Sequence, residues 1–532
     1  MPLHLLPPEI ISLIADNLVS LKDLFSLLRT NRKLYNLLFR ELYRRNVISD
    51  GGSALVWYAI HGDELGVRTM LAAGADVNLR SPNQAQSTAL LEAVTHKHTR
   101  VVQLLLENGA SPDMADRRAR RPLALATIGR SDVAITKLLL DYGAKVDSVS
   151  FEKRAPLMEA IRSNQEFKVA LLLKHAADIH ILEGRNTMNL LHIAAAKNAT
   201  PAIMEKLIDA GIQVDSQDGW GRTPLQVAAT YSSTRAVRLL LHYGADPNFK
   251  NTNRFSKGYT ALFYAAKEPR GSRKDNKAII RTLVMQGAEV DFTNNVQETP
   301  LLYAVSQGAT KQAQALLENG ASIMIRDAER KTVLHLAALS WNWCPDMMNL
   351  LVESGADVNW AGGKQNETPI FYAIRHSYSR QGLKNAQNLL SLDAGVHFRN
   401  IDGLTPLSLA ARMCSIELTA TLLERGSLVN SKDMQGKSAL HHVAETGFRS
   451  VALKIIALLI QHGADVNSQD YSGYTALHIL VTKEGAWEAV GELLKAGADR
   501  NAMSNDGRFP HDMVPAGPWA ETKRFFIRSY KP

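Results

Sequence analysis

One block recurs along this chain, and a chain that repeats a unit too short to bury its own apolar face must stack the copies to make a core. The block reads RTPLQVAA at Arg222, ETPLLYAV at Glu298, KTVLHLAA at Lys331, LTPLSLAA at Leu404 and YTALHILV at Tyr474. A Leu-rich run follows each copy and closes on Gly-Ala-Asp or a near variant, as in LLLHYGADPN from Leu239, LLVESGADVN from Leu350 and LLIQHGADVN from Leu458. With the Thr as register, the equivalents are Ser53, Thr88, Arg121, Ala155, Asn189, Thr223, Thr260, Thr299, Thr332, Thr368, Thr405, Ser438 and Thr475, spaced by 33 to 39 residues.

Each position has a physical reason. The Thr hydroxyl can accept a backbone N–H at a helix start, and the Pro after it sits in the first turn, where a missing N–H costs nothing. Paired Ala residues let a neighbouring helix come close. The Leu run gives a second helix its apolar stripe, and the Gly before Ala-Asp ends that helix in a left-handed cap. Asp218-Gly219-Trp220-Gly221, Asp433-Met434-Gln435-Gly436 and Asp470-Tyr471-Ser472-Gly473 then supply the Asp and Gly of a tight turn.

These blocks resemble ankyrin repeats, whose signature is T-P-L-H-x-A at a period near 33 residues. The resemblance implies thirteen units over 52–503 and a degenerate capping unit over 504–532, opening with DGRFPHDM at Asp506. The expected fold class is all-α: a solenoid of helix pairs with short β-hairpin turns. Arg121, Ala155 and Asn189 lack the Thr, and Tyr58 stands where a small Ala is usual, so units one, three, four and five are the loosest. Two basic insertions depart from the plain spacer, KEPRGSRKDNK over 267–277 and FKNTNRFSKG over 249–258.

The opening 1–49 does not repeat. Pro7 and Pro8 suit a first helical turn, and Ile10, Ile11, Ile14 and Leu18 make one apolar stripe. A second helix follows with Leu21, Leu24, Leu27 and Leu28, and a third from Asn31 with Leu34, Leu37, Leu38 and Leu42. Such a trio is near the lower limit for an independent core. It resembles an F-box, the adaptor-binding module of substrate receptors in cullin-based ubiquitin ligases, through Leu6-Pro7-Pro8-Glu9-Ile10, Ile14, Leu18, Leu21 to Leu24 and Arg32 to Tyr35. It departs at Asn31, Leu34 and Tyr43, where that family often has Cys and Trp. The resemblance implies that Leu6, Pro7, Ile10, Ile14, Leu18 and Leu24 meet a Skp-type adaptor of a cullin complex. The alternative is a helical cap over the open end of the stack.

Catalytic chemistry is not signalled, and the chain is not expected to be an enzyme. Gly436-Lys437-Ser438 is the tail of a phosphate-binding loop, but Ser431 stands where its first Gly belongs and no buried strand precedes it. His192, His335, His441 and His478 occupy the H of T-P-L-H, where the family uses the imidazole between units; His175 and His462 precede a helix-ending residue. Cys344 is placed in an inter-helix turn and Cys414 in a repeat helix. Two cysteines offer neither a disulfide framework nor a zinc ligand set, and no metal or cofactor is expected. With 45% hydrophobic residues, no membrane-length apolar run and no basic leader, the expectation is an intracellular protein, cytoplasmic or nuclear. The net charge of +9 is spread along the chain, too diffuse to signal nucleic-acid binding, and no nucleic-acid partner is expected.

Partners of ankyrin arrays are commonly gripped by turn tips and first helices. The candidates are the aromatic tips Trp220, Tyr259, Tyr471 and Tyr474 and the basic turn of Arg117, Arg118 and Arg120. The expected function is that of an interaction adaptor, a substrate receptor of a cullin-based ligase that holds an acidic and apolar protein segment on its repeats. A plain scaffold capped by its N-terminal helices is the alternative.

Overall fold

The computed structural model describes residues 7, 10, 14, 54–81, 86–128, 132–149, 154–253, 258–267, 276–340, 345–446, 449–483, 485–517 and 520–529. Leu6, Leu18, Leu24 and Cys344 lie outside the described residues. The chain divides into two compact units, Met1–Asp246 and Pro247–Pro532.

Within these units the described helices form thirteen pairs, from Ala54–His61 with Glu64–Ala72 to Ala476–Leu480 with Trp487–Lys495. A 3-10 turn Pro510–Met513 and the helix Ala520–Ser529 follow. The fold is all-α: among the described residues there is no strand, and the only β pairing is two isolated bridges, Glu183 with Met188 and Gly362 with Glu367.

The first helix of each pair begins one residue after the register position. Thr88, Thr223, Thr299 and Thr405 accept the backbone N–H three residues on, at 3.3, 3.3, 3.3 and 3.1 Å. Asn189 keeps the cap without a Thr, its Oδ1 accepting from the N–H groups of Leu191 and His192 at 3.1 and 3.0 Å. Arg121 and Ala155 give no side-chain cap, and there the helix starts on Pro122 or Pro156.

Second helices end as the Gly-Ala-Asp pattern dictates. Gly244, Gly320 and Gly463 have φ of 80°, 90° and 83°, and Ala176 and Asp393 take the same left-handed conformation where no Gly is available. Cys414 corrects one expectation. It is not in a helix but in the bend after Pro406–Arg412, with φ of 56°.

Leu, Ala and Val side chains fill the interior. In the sixth pair Leu225, Val227, Ala228, Ala229, Ala236, Val237 and Leu240 are all buried, each of the larger ones contributing about 1.5–3 kcal/mol. The bulk of Tyr58 in the first pair is met by Gly66 on the next helix: a Cβ there would lie 2.6 Å from ring atoms of Tyr58.

The basic insertion at 249–258 keeps the closure of an ordinary turn, with Asn251 N–H donating to Tyr259 O at 3.1 Å. Of the insertion at 267–277, Lys267 follows the helix Ala261–Ala266 and Lys277 opens the helix Lys277–Met285. Of the non-repeating opening, Pro7 and Ile10 are exposed, Ile14 is half-buried, and Ile10 N–H donates to Pro7 O at 3.1 Å.

Candidate partner-binding surface

The turns between pairs are built around one side chain. Asp116, Asp218, Asn294, Asp327, Asn400, Asp433 and Asp470 each use Oδ1 to accept the N–H groups two and four residues on, all at 2.8 to 3.0 Å. The anchor's own N–H donates to the carbonyl four residues ahead, as from Asp433 to Lys437 O at 2.9 Å. A short polar side chain does this because it substitutes for a backbone acceptor.

Successive turns are tied to one another. Ile401 N–H donates to Gln365 O, Met434 N–H to Asp402 O, Tyr471 N–H to Gln435 O and Asn505 N–H to Ser472 O, at 2.9 to 3.0 Å. The residue before the anchor adds a second tie: Arg399 Nη1 donates to Lys432 O, Lys432 Nζ to Gln469 O and Gln469 Nε2 to Met503 O, at 2.5, 2.7 and 3.1 Å. Gly403 and Gly436 have φ of 76° and 77°, and a Cβ on either would lie within 2.9 Å of the backbone N of Met434 or Tyr471. The tips are therefore held rigid, which lowers the entropy lost when a ligand docks on them.

The sequence candidates fall into different environments. Arg117 and Arg118 are exposed, while Arg120 turns back to its own anchor, Nε to Asp116 Oδ2 at 2.7 Å. Trp220 is half exposed, with the Arg222 guanidinium 4.5 Å from its ring centroid. Arg222 is itself buried against Asp218, Nη2 to Oδ2 at 2.7 Å. Tyr471 projects with 70% of its surface exposed.

Tyr259 and Tyr474 are less free. Tyr259 stacks on Phe263 at 4.9 Å and leans on Tyr303 at 5.1 Å, and burial pushes its hydroxyl pKa well up. Tyr474 donates its hydroxyl to Asp506 Oδ2 at 2.9 Å, and that bond raises its pKa. Arg117, Arg118 and Arg120 share one turn and Tyr471 and Tyr474 another; Trp220 stands on a third.

Several protruding residues were not singled out from sequence. Ile401 and Met434 occupy the position after the anchor that Tyr471 occupies, and are 51% and 69% exposed; Tyr231, just past Pro224–Thr230, is 53% exposed. Aligning the turns on their Asx anchor would have found the first two.

The chemically tempting groups are occupied. Nδ1 of His335, His441 and His478 accepts the N–H of Thr332, Ser438 and Thr475 at 3.1 Å. Their Nε2 atoms must therefore carry the proton, donated to Glu367 O, Tyr474 O and Arg508 O in the next turn at 2.8, 3.0 and 3.2 Å. His192 Nε2 lies 2.8 Å from Arg222 O in the same relation. Burial lowers the pKa of all four. His462 Nδ1 bonds Leu458 O at 3.0 Å, and His175 caps Glu166–Lys174. In Gly436-Lys437-Ser438, Lys437 pairs with Glu445 at 2.6 Å and Ser438 Oγ meets His441 Nδ1 at 2.8 Å, so the stretch is an ordinary turn. Among the described residues no group of three or more His, Cys, Asp or Glu is placed to hold a metal ion, and no helix is long and apolar enough to cross a membrane.

Known proteins carry the same pattern. A profile of ankyrin repeats in three copies matches residues 28–116, 191–274, 270–361 and 427–504, and a single ankyrin repeat matches 402–434. The first match begins inside the 1–49 stretch that sequence set apart. A Caenorhabditis elegans homolog of transient receptor potential cation channel subfamily A member 1 is 34% identical over 27% of this chain and 13% of its own length. The Homo sapiens channel of that name is 27% identical over 53% of this chain and 25% of its own. The E3 ubiquitin-protein ligase KEG of Arabidopsis thaliana is 27% identical over 51% and 17%. A putative ankyrin repeat protein of Fowlpox virus, FPV031, is 32% identical over 43% and 64%. The chain thus spans less than two thirds of each of these relatives. With the profile matching well over half of its residues, the chain belongs to the ankyrin-repeat family.

Proposed function

We propose that this chain is a protein-interaction adaptor that holds a segment of another protein on its turn tips. The observation that carries this reading is the division of labour within each turn. The Asx anchor satisfies the turn's backbone, and Trp220, Met434 and Tyr471 project from that frame with half or more of their surface exposed. Rigid aromatic and Met side chains of this sort are what interfaces concentrate. Affinity capture with wild type and with a Trp220→Ala/Tyr471→Ala variant tests it: partners that depend on the tips vanish from the variant, and an unchanged partner set refutes the reading.

The finer form of the reading makes the chain a substrate receptor, with its opening segment docked on a Skp-type adaptor. Its supports are the resemblance of Leu6-Pro7-Pro8-Glu9-Ile10 to the F-box opening and the exposure of Pro7 and Ile10, where a cap would bury them. The ubiquitin ligase among the relatives adds little, since 17% of its length is matched. A pull-down with a Skp-type adaptor decides. Binding lost in a folded Leu6→Ala/Pro7→Ala/Ile10→Ala variant supports docking; no binding by wild type, with earlier melting of the variant, leaves the segment as a cap.

A further inference from the structure

Lys168 has none of its surface exposed, which no other lysine or arginine among the described residues shares. It stands on Glu166–Lys174, the second helix of the fourth pair, eight residues before the left-handed Ala176. In the other pairs that place is apolar, as at Val101, Ile135, Ile203, Leu418 and Ile455, or small. Only Gln312 and Asn385 are also polar there, and both are buried.

The three exceptions share a setting. Each follows a pair whose first helix ends on an extended residue, Ile128, Lys267 or Ser340, with ψ of 129°, 141° and 130°. Where the end of another first helix is described, ψ there stays between −21° and 10°. An extended end leaves carbonyls that the usual turn would close. Asn385 supplies the donor for one of them, its Nδ2 bonding Ala338 O and Ser340 O at 3.2 Å each. An amide does this without charge, whereas Lys168 brings an amine to the equivalent position.

A cation held there is costly, because an ammonium loses far more than an amide when it leaves water. Asp132, at the start of Val133–Asp141, favours the charge, but its carboxylate already accepts from Thr99 Oγ1 at 2.9 Å and from Ala134 N–H at 3.0 Å. Lys97, in the turn ahead of Thr99–Glu107, opposes it. On the other helices packed against Glu166–Lys174, Glu159, Arg162 and Lys206 pair with Arg154, Glu183 and Glu166, while Glu205 and Asp209 act on Tyr243 of the sixth pair. Burial, and then Lys97, bring the pKa of the amine down to about 8, with Asp132 pulling the other way.

We infer that Lys168 is a proton-driven release for the helix Glu166–Lys174: a proton taken up by the buried amine loosens the helix from its neighbours, and loss of that proton seats it. Linkage gives the direction. With the helix detached the amine is hydrated and keeps its proton up to about pH 10.5, whereas the closed form gives it up near 8. The open form binds more protons between those values, so closure strengthens as the pH rises through that window and is weakest below it. Between pH 7 and pH 9 the open fraction should fall about tenfold. The surroundings are suited to opening: Arg121 and Ala155 give the adjoining first helices no side-chain cap, and Arg121 Nε is buried without a hydrogen-bond partner.

Hydrogen exchange of the full chain, read by mass spectrometry at pH 7 and pH 9 and divided by the free-peptide rate at each pH, tests this. In wild type the open fraction of Glu166–Lys174 should drop about tenfold between the two. In Lys168→Met and in Lys168→Gln, the residue type of Gln312, it should be equal at both, and at pH 7 it should lie below that of wild type. Thr234–His242, with Ala236 at the equivalent place, is the reference and should not differ among the three proteins. A wild-type helix whose opening ignores pH, a drop that persists in either variant, or variants that open more readily than wild type at pH 7 overturn the inference. Loss of fold in both variants, seen by circular dichroism, does the same, because the amine would then be holding the helix in place.

Discussion

The side-chain amide of Asn467 joins two repeats through one residue pair: Nδ2 donates to Gly497 O at 3.1 Å while Oδ1 accepts the N–H of Asp499 at 2.6 Å. Asn78, Asn248 and Asn430 make the same double link to the cap of the next second helix, through Gly109, Gly287 and Gly463. An amide suits the site because it offers a donor and an acceptor on two separate atoms, whereas a carboxylate only accepts.

Asp215 holds this position between the fifth and sixth pairs and can do half the work. Its Oδ2 accepts Asp246 N–H at 3.1 Å, its buried Oδ1 has no hydrogen-bond partner, and burial raises its pKa. Asp215→Asn should stabilise the first unit by about 0.5–1.5 kcal/mol at pH 7. The gain should shrink as the pH falls through the carboxylate range, since an acid with a raised native pKa is least costly once protonated. Denaturant midpoints of the two proteins at pH 7 and pH 4 measure this.

The buried histidines give the array a pH dependence of opposite sign. His192, His335, His441, His442 and His478 all have pKa values lowered by burial, so the native state resists a proton that the unfolded chain accepts near pH 6.5. Stability is complete above that value and falls as the pH drops below it. Unfolding by urea at pH 7.5 and 5.5 should show the loss, and His335→Gln should reduce the difference while weakening the protein at both pH values.

Gly66→Ala should be destabilising by about 1–3 kcal/mol even though Ala is the better helix former by about 1 kcal/mol. The cause is the Tyr58 ring, which fills the space of the new methyl group. Tyr58→Ala should therefore relieve much of the cost of Gly66→Ala, and a double-mutant cycle on thermal stability reads the coupling.

Arg222→Ala strips the buried Asp218 carboxylate of its guanidinium and should cost about 3–5 kcal/mol locally. It also removes the cation beneath Trp220. Amide exchange at Trp220 and Arg222, whose N–H groups bond to Asp218 Oδ1, should rise while that in distant repeats stays unchanged.

What could be read beforehand was what is local. The caps of Thr223 and Thr405, the left-handed Gly463 and the anchoring Asp433 each act within five residues, and their signals lie in the same stretch as their effects. The Asn467 link reaches 30 residues along the chain, and Gly66 makes sense only once Tyr58 is seen against it. Asn189 shows the limit of reading by motif: the sequence lost the Thr, but the chemistry of the cap stayed. Tyr259 and Tyr474 were chosen for their type and turned out half-buried, since a turn position does not by itself tell which way a ring packs. Met434 and Ile401 escaped because a lone apolar residue in a turn has no periodicity until turns are aligned on their anchors.

The Asx anchors have a consequence for how such a surface can change. One oxygen satisfies the backbone of a whole tip, so the residues beside it can be replaced without the fold being solved again. Ala328 and Met434 stand on equivalent frames with wholly different side chains. A lineage carrying this frame can exchange one partner for another by drift at single exposed positions, keeping its stability while its vocabulary is rewritten.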